Sequence, residues 1–315
     1  MSKILCVGET LFDIYPGRRY LGGAPLNVAV HLAKLGETPY LLSAVGRDEP
    51  GRAALEELAQ RGVDCRFVTV NDQPTGTAVV HPELDGDQRF DLPENVAYDL
   101  ITLSDASLAE LIHLAPDAVV FGTLAQKRSK VTAEALDRAL DALPKAEAFF
   151  DVNLRKQYYD EDILSLSIGR SSILKLNDDE VDTLSFLLFD TVMDAGRFAR
   201  FIFSDFPCHS VVVTQGSRGA TAYGRDFEVF HEEALPVDVV DTVGAGDAFA
   251  AAYLSEWLRT PDLQKALAAG TPSGRKTRTS AVRRGILQHF FKQVGGHAAH
   301  KLADLGVVKE IERER

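Results

Sequence analysis

The stretch VVDTVGAGDAFAAAYL (239–254) sets a carboxylate, Asp247, directly behind Gly244, Ala245 and Gly246 and directly ahead of an apolar helical run. A helix N-terminus presents backbone N–H groups without intrahelical partners and a partial positive charge. Glycines at 244 and 246 let an anion approach that backbone closely. Asp247 then falls in the first helical turn, beside any phosphate those amides hold. Phosphoryl transfer needs electrostatic stabilisation, alignment and a group to accept the attacking hydroxyl's proton. One loop would supply both the anion cradle and the base. The plainer alternative is a capping aspartate behind a glycine turn, and a short glycine motif alone does not separate the two.

Other chemistries lack their residues. The sequence has no G-x-x-x-x-G-K-[ST] and no G-x-G-x-x-G after the first apolar run, which removes the P-loop and disfavours a dinucleotide fold. HEEAL (231–235) fails the H-E-x-x-H pattern, and no Ser or Cys sits in a nucleophile elbow.

The elements that must position this loop are legible as alternating runs. ILCVG (4–8), YLLSAVG (40–46), AVVFG (118–122), AFFDVN (148–153), SILKLN (172–177) and SVVVTQG (210–216) are short and apolar, as strands buried on both faces should be. Between them lie helical patterns, APLNVAVHLAKLG (24–36), PGRAALEELAQRGV (50–63), TAEALDRALDALP (132–144) and MDAGRFARFIF (193–203), several ending on Gly or Pro. The alternation predicts an α/β fold, a doubly wound, mostly parallel central sheet flanked by helices. Residues 10–22 and about 75–98 break it with turn-rich, alternating segments, which predict a small β-sheet lid, with DGDQ (85–88) as a hairpin turn. Surface hairpins are the alternative for those two segments.

In open α/β sheets, ligands bind beyond the carboxyl ends of the strands. The residues expected there are Asp13, Asp151, Asn153, Arg155, Asn177, Glu180, Thr214 and Gly216. Such an acidic, amide-rich rim with one arginine suits a polyhydroxylated ligand and a metal-bound phosphate chain. Lys175 and the eight histidines fall into no chemical pattern.

Composition sets the bounds. The 315 residues are 45% hydrophobic, enough for one large α/β domain or two small ones. A formal net charge of −12 and a pI near 5.2 argue against nucleic acid or an anionic membrane as partner. MSKILCVGET (1–10) is no signal peptide, and no stretch reaches the ~20 apolar residues of a membrane span. Cys6, Cys65 and Cys208 are scattered, which reads as reduced thiols and a cytoplasmic setting.

Taken together, the motifs resemble a family. LGGAPLNVAVHLAKLG (21–36) followed by SAVGRDEPGRAALEELAQRGVD (43–64) resembles the N-terminal signature of the ribokinase-like (PfkB) carbohydrate kinases. DTVGAGDAFAAAYL (241–254) is similar to the C-terminal signature, and FGTLAQ (121–126), DVNLR (151–155), LKLNDDE (174–180) and VVVTQGSRGA (211–220) fall between them in order. The Gly-Gly-Ala-Pro-x-Asn variant and DVNLR look most like the fructokinase branch.

The resemblance implies one ribokinase-like domain across 1–315, with ATP and Mg²⁺ as cofactors and K⁺ as the usual monovalent cation. It implies that Asp247 deprotonates the sugar hydroxyl and that Gly244, Ala245 and Gly246 form the anion hole for the γ-phosphoryl group. Asp13, Gly23 and Asn27 would contact sugar hydroxyls; Asn153 and Arg155 would reach the substrate or its new phosphate. Asn177 and Glu180 would organise Mg²⁺ and its waters. Thr214, Gly216 and Gly219 would line the nucleotide groove, and Asp241 with the backbone of Val243 would hold the monovalent cation. Structural alternatives stay open: a solvated turn for Asp13, a hinge at Gly22 and Gly23, an ion pair for Arg155, and a capping box for Asn177 and Glu180.

The chain departs from the family pattern near its end. From Leu263 to Leu302 there is no Asp or Glu, although the chain carries 46, and five Lys or Arg crowd into Arg275–Arg284. Such a break reads as a diverged tail or a reading-frame discontinuity rather than as a binding patch, so adenine contacts are assigned to no residue. The expected activity is ATP:sugar phosphotransfer, fructose to fructose 6-phosphate. Another sugar acid such as 2-keto-3-deoxygluconate, a nucleoside, or a non-catalytic sugar sensor are the alternatives. A homodimer through lid strands is expected.

Overall fold

In the computed structural model the described residues are 1–15, 17–82, 88–155, 157–234 and 244–271. Strand β1 (Lys3–Val7) leads into β2 (Leu11–Tyr15) and β3 (Arg18–Gly22), then α1 (Ala24–Lys34), β4 (Thr38–Gly46), α2 (Glu49–Gln60) and β5 (Val68–Asn71). β6 (Gly76–Pro82), β7 (Gln88–Asp91), a 3₁₀ turn (Ala97–Leu100) and α3 (Asp105–Leu114) follow. Repeated strand–helix units come next: β8 (Ala118–Gly122), α4 (Leu124–Arg128) and α5 (Lys130–Ala142); β9 (Glu147–Asp151) and α6 (Glu161–Arg170); β10 (Ile173–Asn177), α7 (Asp178–Phe189) and α8 (Ala195–Asp205). The described chain closes with β11 (Ser210–Thr214), β12 (Ala220–Gly224), β13 (Val229–Glu232), α9 (Ala245–Arg259) and α10 (Leu263–Gly270).

All six apolar runs become neighbouring parallel strands. The main sheet has the order β13-β12-β11-β10-β9-β8-β1-β4-β5. From β5 to β11 every pairing is parallel, and only β12 and β13 run antiparallel to their preceding neighbour. Alternate residues of each strand feed two cores. Leu5 and Val7 of β1 join Val119, Phe121 and Phe150 under α3, α5, α6, α7 and α8. Ile4 and Cys6 join Val120 and Phe149 under α1, α2, α9 and α10. Each fully buried aromatic or branched side chain contributes roughly 1.5–3 kcal/mol, which is why the runs are apolar throughout rather than alternating.

The four expected helical patterns form α1, α2, α5 and α8, and the sequence supplies their starts. Asp48 accepts from the Gly51 N–H ahead of α2, Ser129 from Thr132 ahead of α5, and Asp194 from Arg197 ahead of α8. Neither β5 nor the β12–β13 edge was expected from the sequence. Their strands are short, and β5 and β13 are half exposed, so no apolar run marks them.

A second, four-stranded sheet has the order β3-β2-β6-β7. The segments expected as a lid supply all four strands. β2 pairs antiparallel with β3 and parallel with β6, and Val79 to Pro82 pair antiparallel with Gln88 to Asp91. Of the expected DGDQ turn, only Gln88 lies inside the described residues. The end of the second segment differs from expectation: Val96, Ala97 and Tyr98 leave the small sheet and are buried in the main core. Tyr98 is wholly buried, and hydrophobic burial overrides the turn-rich composition there. Cys6, Cys65 and Cys208 are free thiols. Among the described residues no helix is long and apolar enough to cross a membrane. Most of the expected atypical region 263–302 lies outside them.

Candidate active site

The carboxyl ends of β1, β9, β10 and β11 and the N-termini of α1 and α9 share one edge of the main sheet. Gly244, with φ +77°, caps α9 in the left-handed region that glycine adopts without strain. Among the described residues no side chain caps this end. The Ala248 N–H closes the first helical bond onto the Gly244 carbonyl at 2.9 Å, so the amides of Ala245, Gly246 and Asp247 have no intrahelical acceptor. Asp247 stands in that first turn. Its Oδ2 accepts from Asn27 Nδ2 of α1 at 2.9 Å. Burial, and then the charge of Asp151, push its carboxyl up to about 6, against the opposing pull of Asn27, Lys175 and Arg155. At neutral pH such a group is mostly ionised yet takes a proton readily.

Beneath the turn lies an ion pair. Lys175 Nζ donates to Asp151 Oδ1 at 2.8 Å and Oδ2 at 2.9 Å, and both side chains are buried. A Cβ placed on Gly246 would lie 3.1 Å from that ammonium. Burial alone would favour the neutral amine, but Asp151, with Glu180 and Asp247, more than offsets it and raises the lysine's pKa.

Asp151, Asn153 and Arg155 line a cleft together with Glu9, Ala24 and Thr123. Asn153 sits at φ +41°, a region that Asn tolerates better than most residues. The Arg155 guanidinium is exposed, and its Nη1 donates to the Leu154 carbonyl at 3.2 Å. Its charge reaches Glu9, Asp13 and Asp247 at once. Among the described residues it forms no carboxylate ion pair. Burial pushes Asp13 of β2 up to about 6 against Arg155. Gly22 faces it so closely that a Cβ there would stand 2.5 Å from Asp13 Oδ2. Gly23 caps α1 at φ +120°, where a Cβ would overlap the Glu9 carbonyl. The position requires glycine for that close approach, whatever else it contacts. Glu9 Oε1 accepts from the Ala24 N–H at 3.0 Å.

On the far side of Arg155, Asn177 and Glu180 form a reciprocal capping box on α7, with both bonds at 2.8 Å. The second Glu180 oxygen accepts from the Leu154 N–H at 2.8 Å, tying β9's exit loop to α7. Asn177, Glu180, Arg155 and Tyr159 line a second hollow. Among the described residues no group of three or more His, Cys, Asp or Glu is arranged to hold a metal. Both Glu180 oxygens already accept a backbone N–H, so a bound ion would meet this carboxylate more readily through water than directly. Thr214 Oγ1 donates to the Leu176 carbonyl at 3.4 Å. Gly216 takes φ +57° in open space, whereas Gly219 at φ +98° packs against the Glu232 carbonyl of β13, a structural reason for glycine there. Asp241 and Val243 lie outside the described residues.

The fold thus brings Asp13, Gly23, Asn27, Asn153, Arg155 and the α9 turn to one edge, with Asn177, Glu180 and Thr214 alongside. Reading the sequence missed Glu9 and the Asp151–Lys175 pair. A signal existed for the pair: a lysine in a strand apolar on both faces must find a buried counter-charge.

Comparisons with known proteins bear on the family and the fold of the chain. The family described as pfkB family carbohydrate kinase matches residues 1–282. A fructokinase from Klebsiella pneumoniae is 32% identical over 271 residues, covering 81% of this chain and 84% of its own. An aminoimidazole riboside kinase from Salmonella typhimurium is 28% identical over 280 residues, covering 81% of this chain and 80% of its own. Among solved structures, an Escherichia coli protein described as a candidate ribokinase II, in complex with ATP and Mg²⁺, superimposes with a TM-score of 0.73 at 25% identity. That match covers 89% of this chain and 96% of the other.

Proposed function

The chain belongs to the pfkB family of carbohydrate kinases, and from that premise we propose that it transfers the γ-phosphoryl group of ATP to a hydroxyl of fructose, giving fructose 6-phosphate. The observation that carries the reading is Asp247, held by Asn27 in the first turn of α9 behind a glycine cap. In this reading Asp247 takes the hydroxyl proton while the sugar oxygen bonds to the γ-phosphorus. The bond from that phosphorus to the β–γ bridging oxygen breaks, and ADP leaves. The amides of Ala245 and Gly246 face the charge on the transferred group, where fixed donors are most effective. Asp13, Gly23, Asn27 and Asn153 hold the sugar, and Arg155 pairs with its new phosphate. Thr214, Gly216 and Gly219 flank the nucleotide.

The E. coli structure supports ATP with Mg²⁺ as the phosphoryl donor. Mg²⁺ in such sites keeps several waters and is held largely by substrate phosphates, which suits Asn177 and Glu180, whose own bonds leave them an indirect hold. When bound, the ion neutralises charge on the phosphate chain. The small sheet, with its outer strands β3 and β7, closes over the sugar and offers an edge to a second copy of the chain.

Fructose is favoured by the Klebsiella relative. The Salmonella relative favours a second reading, a riboside or other furanose-like substrate on the same machinery. Release of ADP from Mg·ATP across a panel of hexoses, ketoses, sugar acids and ribosides tests both. Turnover on fructose above all others is the expected result. Sugar binding without turnover on any of them would mean a sensor, and would overturn the kinase reading.

A further inference from the structure

Lys175 and Asp151 are Cα partners on adjacent parallel strands, with 8% and 6% of their side-chain surface exposed. The ammonium does not stop at Asp151. Its closeness to Gly246 puts it against the first turn of α9. A cation at the positive end of a helix has the wrong sign for stability. Folding alone has little use for it there, since an apolar pair of similar volume is often as stable as a buried ion pair. Asp151, in turn, lines the cleft with Asn153 and Arg155, and through Lys175 it lies close to the turn where the reading above places the transferred phosphate. Uncompensated, its carboxylate would repel that phosphate.

Resting on the kinase reading above, we infer that Lys175 is a positioning residue for phosphoryl transfer. It cancels the charge of Asp151 beneath the glycine turn, leaving the turn open to a phosphate anion and Asp247 free to act as base. Lys175 is too deeply buried to meet the sugar and acts through Asp151 and the backbone at Gly246. Among the described residues the charged groups facing Asp247 are Asp151 on β9, Lys175 on β10 and Arg155 on the loop after β9, with the neutral amide of Asn27 on α1. Asp151 strengthens the hold of Asp247 on a proton, and Lys175 and Arg155 weaken it. Removing one member of the pair therefore acts with a sign set by which member goes.

The test uses full-length Lys175→Met, Asp151→Asn and the double variant. The pH dependence of kcat/KM for the sugar reads the base in the free enzyme. Lys175→Met is expected to move its acid limb to higher pH by about one unit, a tenfold change in proton affinity, and to lower turnover at pH 7. Asp151→Asn is expected to move the limb to lower pH, and the double variant to return it close to its starting position. A pair that matters only for folding would lower the melting temperature of both single variants and leave the limb where it was. That result, or shifts of the same sign in both, overturns the inference. Lys175→Arg, which keeps the charge, is expected to keep the limb and stands in should Lys175→Met fail to fold. The ¹³C carboxyl titration of Asp247 in ligand-free protein, assigned against Asp247→Asn, needs no turnover. It decides the inference even if the parent chain phosphorylates none of the sugars, an outcome that by itself overturns only the kinase reading.

Discussion

Strand β9 begins on one carboxylate and ends on another, and the two edges of the sheet that they mark treat their carboxylates differently. Glu147, at its start, accepts from Ser172 Oγ at 2.5 Å, His209 Nε2 at 3.1 Å and Trp257 Nε1 at 3.1 Å. Although burial works against the charge, these donors hold its carboxyl down to about 2. Asp151, at its end, spends both oxygens on Lys175, and its charge helps push neighbouring Asp247 up to about 6. The strands' amino edge saturates its carboxylate with donors and makes it inert. At the carboxyl edge Asp151 is paired as well, but Asp247 beside it has the single donor Asn27, and its carboxyl holds a proton more readily. In an α/β sheet the amino edge serves stability and the carboxyl edge chemistry, and the number of donors per carboxylate shows which is which.

The comparison can be broken first at the carboxyl edge. Asp247→Asn is expected to lower kcat by about 10²–10⁴ while sugar affinity stays nearly intact. Because the folded-state pKa of Asp247, about 6, lies above its ordinary value of 3.8, ionisation of this group opposes folding at neutral pH, and that opposition is relieved as pH falls from 6 and is gone below 3.8. The variant is therefore expected to melt at the same temperature or higher, as scanning calorimetry at pH 7 would show.

A pH series sharpens the contrast within one molecule. Turnover at pH 5 should fall to about a tenth of its plateau, as follows from a base near 6. The depressed value of Glu147 has the opposite consequence: its stabilisation is complete above the ordinary 4.5 and is lost only as pH drops toward 2. Circular dichroism should thus show a folded chain at a pH where activity is already gone. Simultaneous loss of both would place the two carboxylates in one cooperative unit.

Breaking the amino edge should do the reverse of the first experiment. Glu147→Gln disturbs three donors and is expected to cost about 1–3 kcal/mol in urea unfolding, with kcat unchanged below the melting range. The smallest effect is expected from Asn27→Ala. The loss of its single bond to Asp247 should raise the acid limb by less than about one pH unit and lower kcat a few-fold.

Much of this was legible before any coordinates. Runs such as AVVFG and SVVVT announce a buried parallel sheet because neither of their faces meets water, and GAGD ahead of an apolar run announces a glycine turn that opens a helix. What was hidden was pairing across the sheet. Lys175 looks like any lysine until β9 and β10 bring Asp151, 24 positions earlier in the chain, to its side, and the intervening sequence carries no sign of that register. Glu9 was missed for a related reason: its role depends on α1 folding back so that Ala24 can donate to it. For Asn177 and Glu180 the sequence offered a capping box or a metal helper. The capping box is present.

One exposed contact links the small sheet to the body. Arg19 of β3 makes a two-pronged pair with Glu49 at the start of α2, at 2.9 Å on each prong, with 43% and 57% of the two side chains open to water. Ions in solution weaken such a pair within a Debye length of about 10 Å at 0.1 M, while the Lys175–Asp151 pair lies beyond their reach. Added salt should therefore act selectively, weakening the Arg19–Glu49 link while leaving the buried Lys175–Asp151 pair in place.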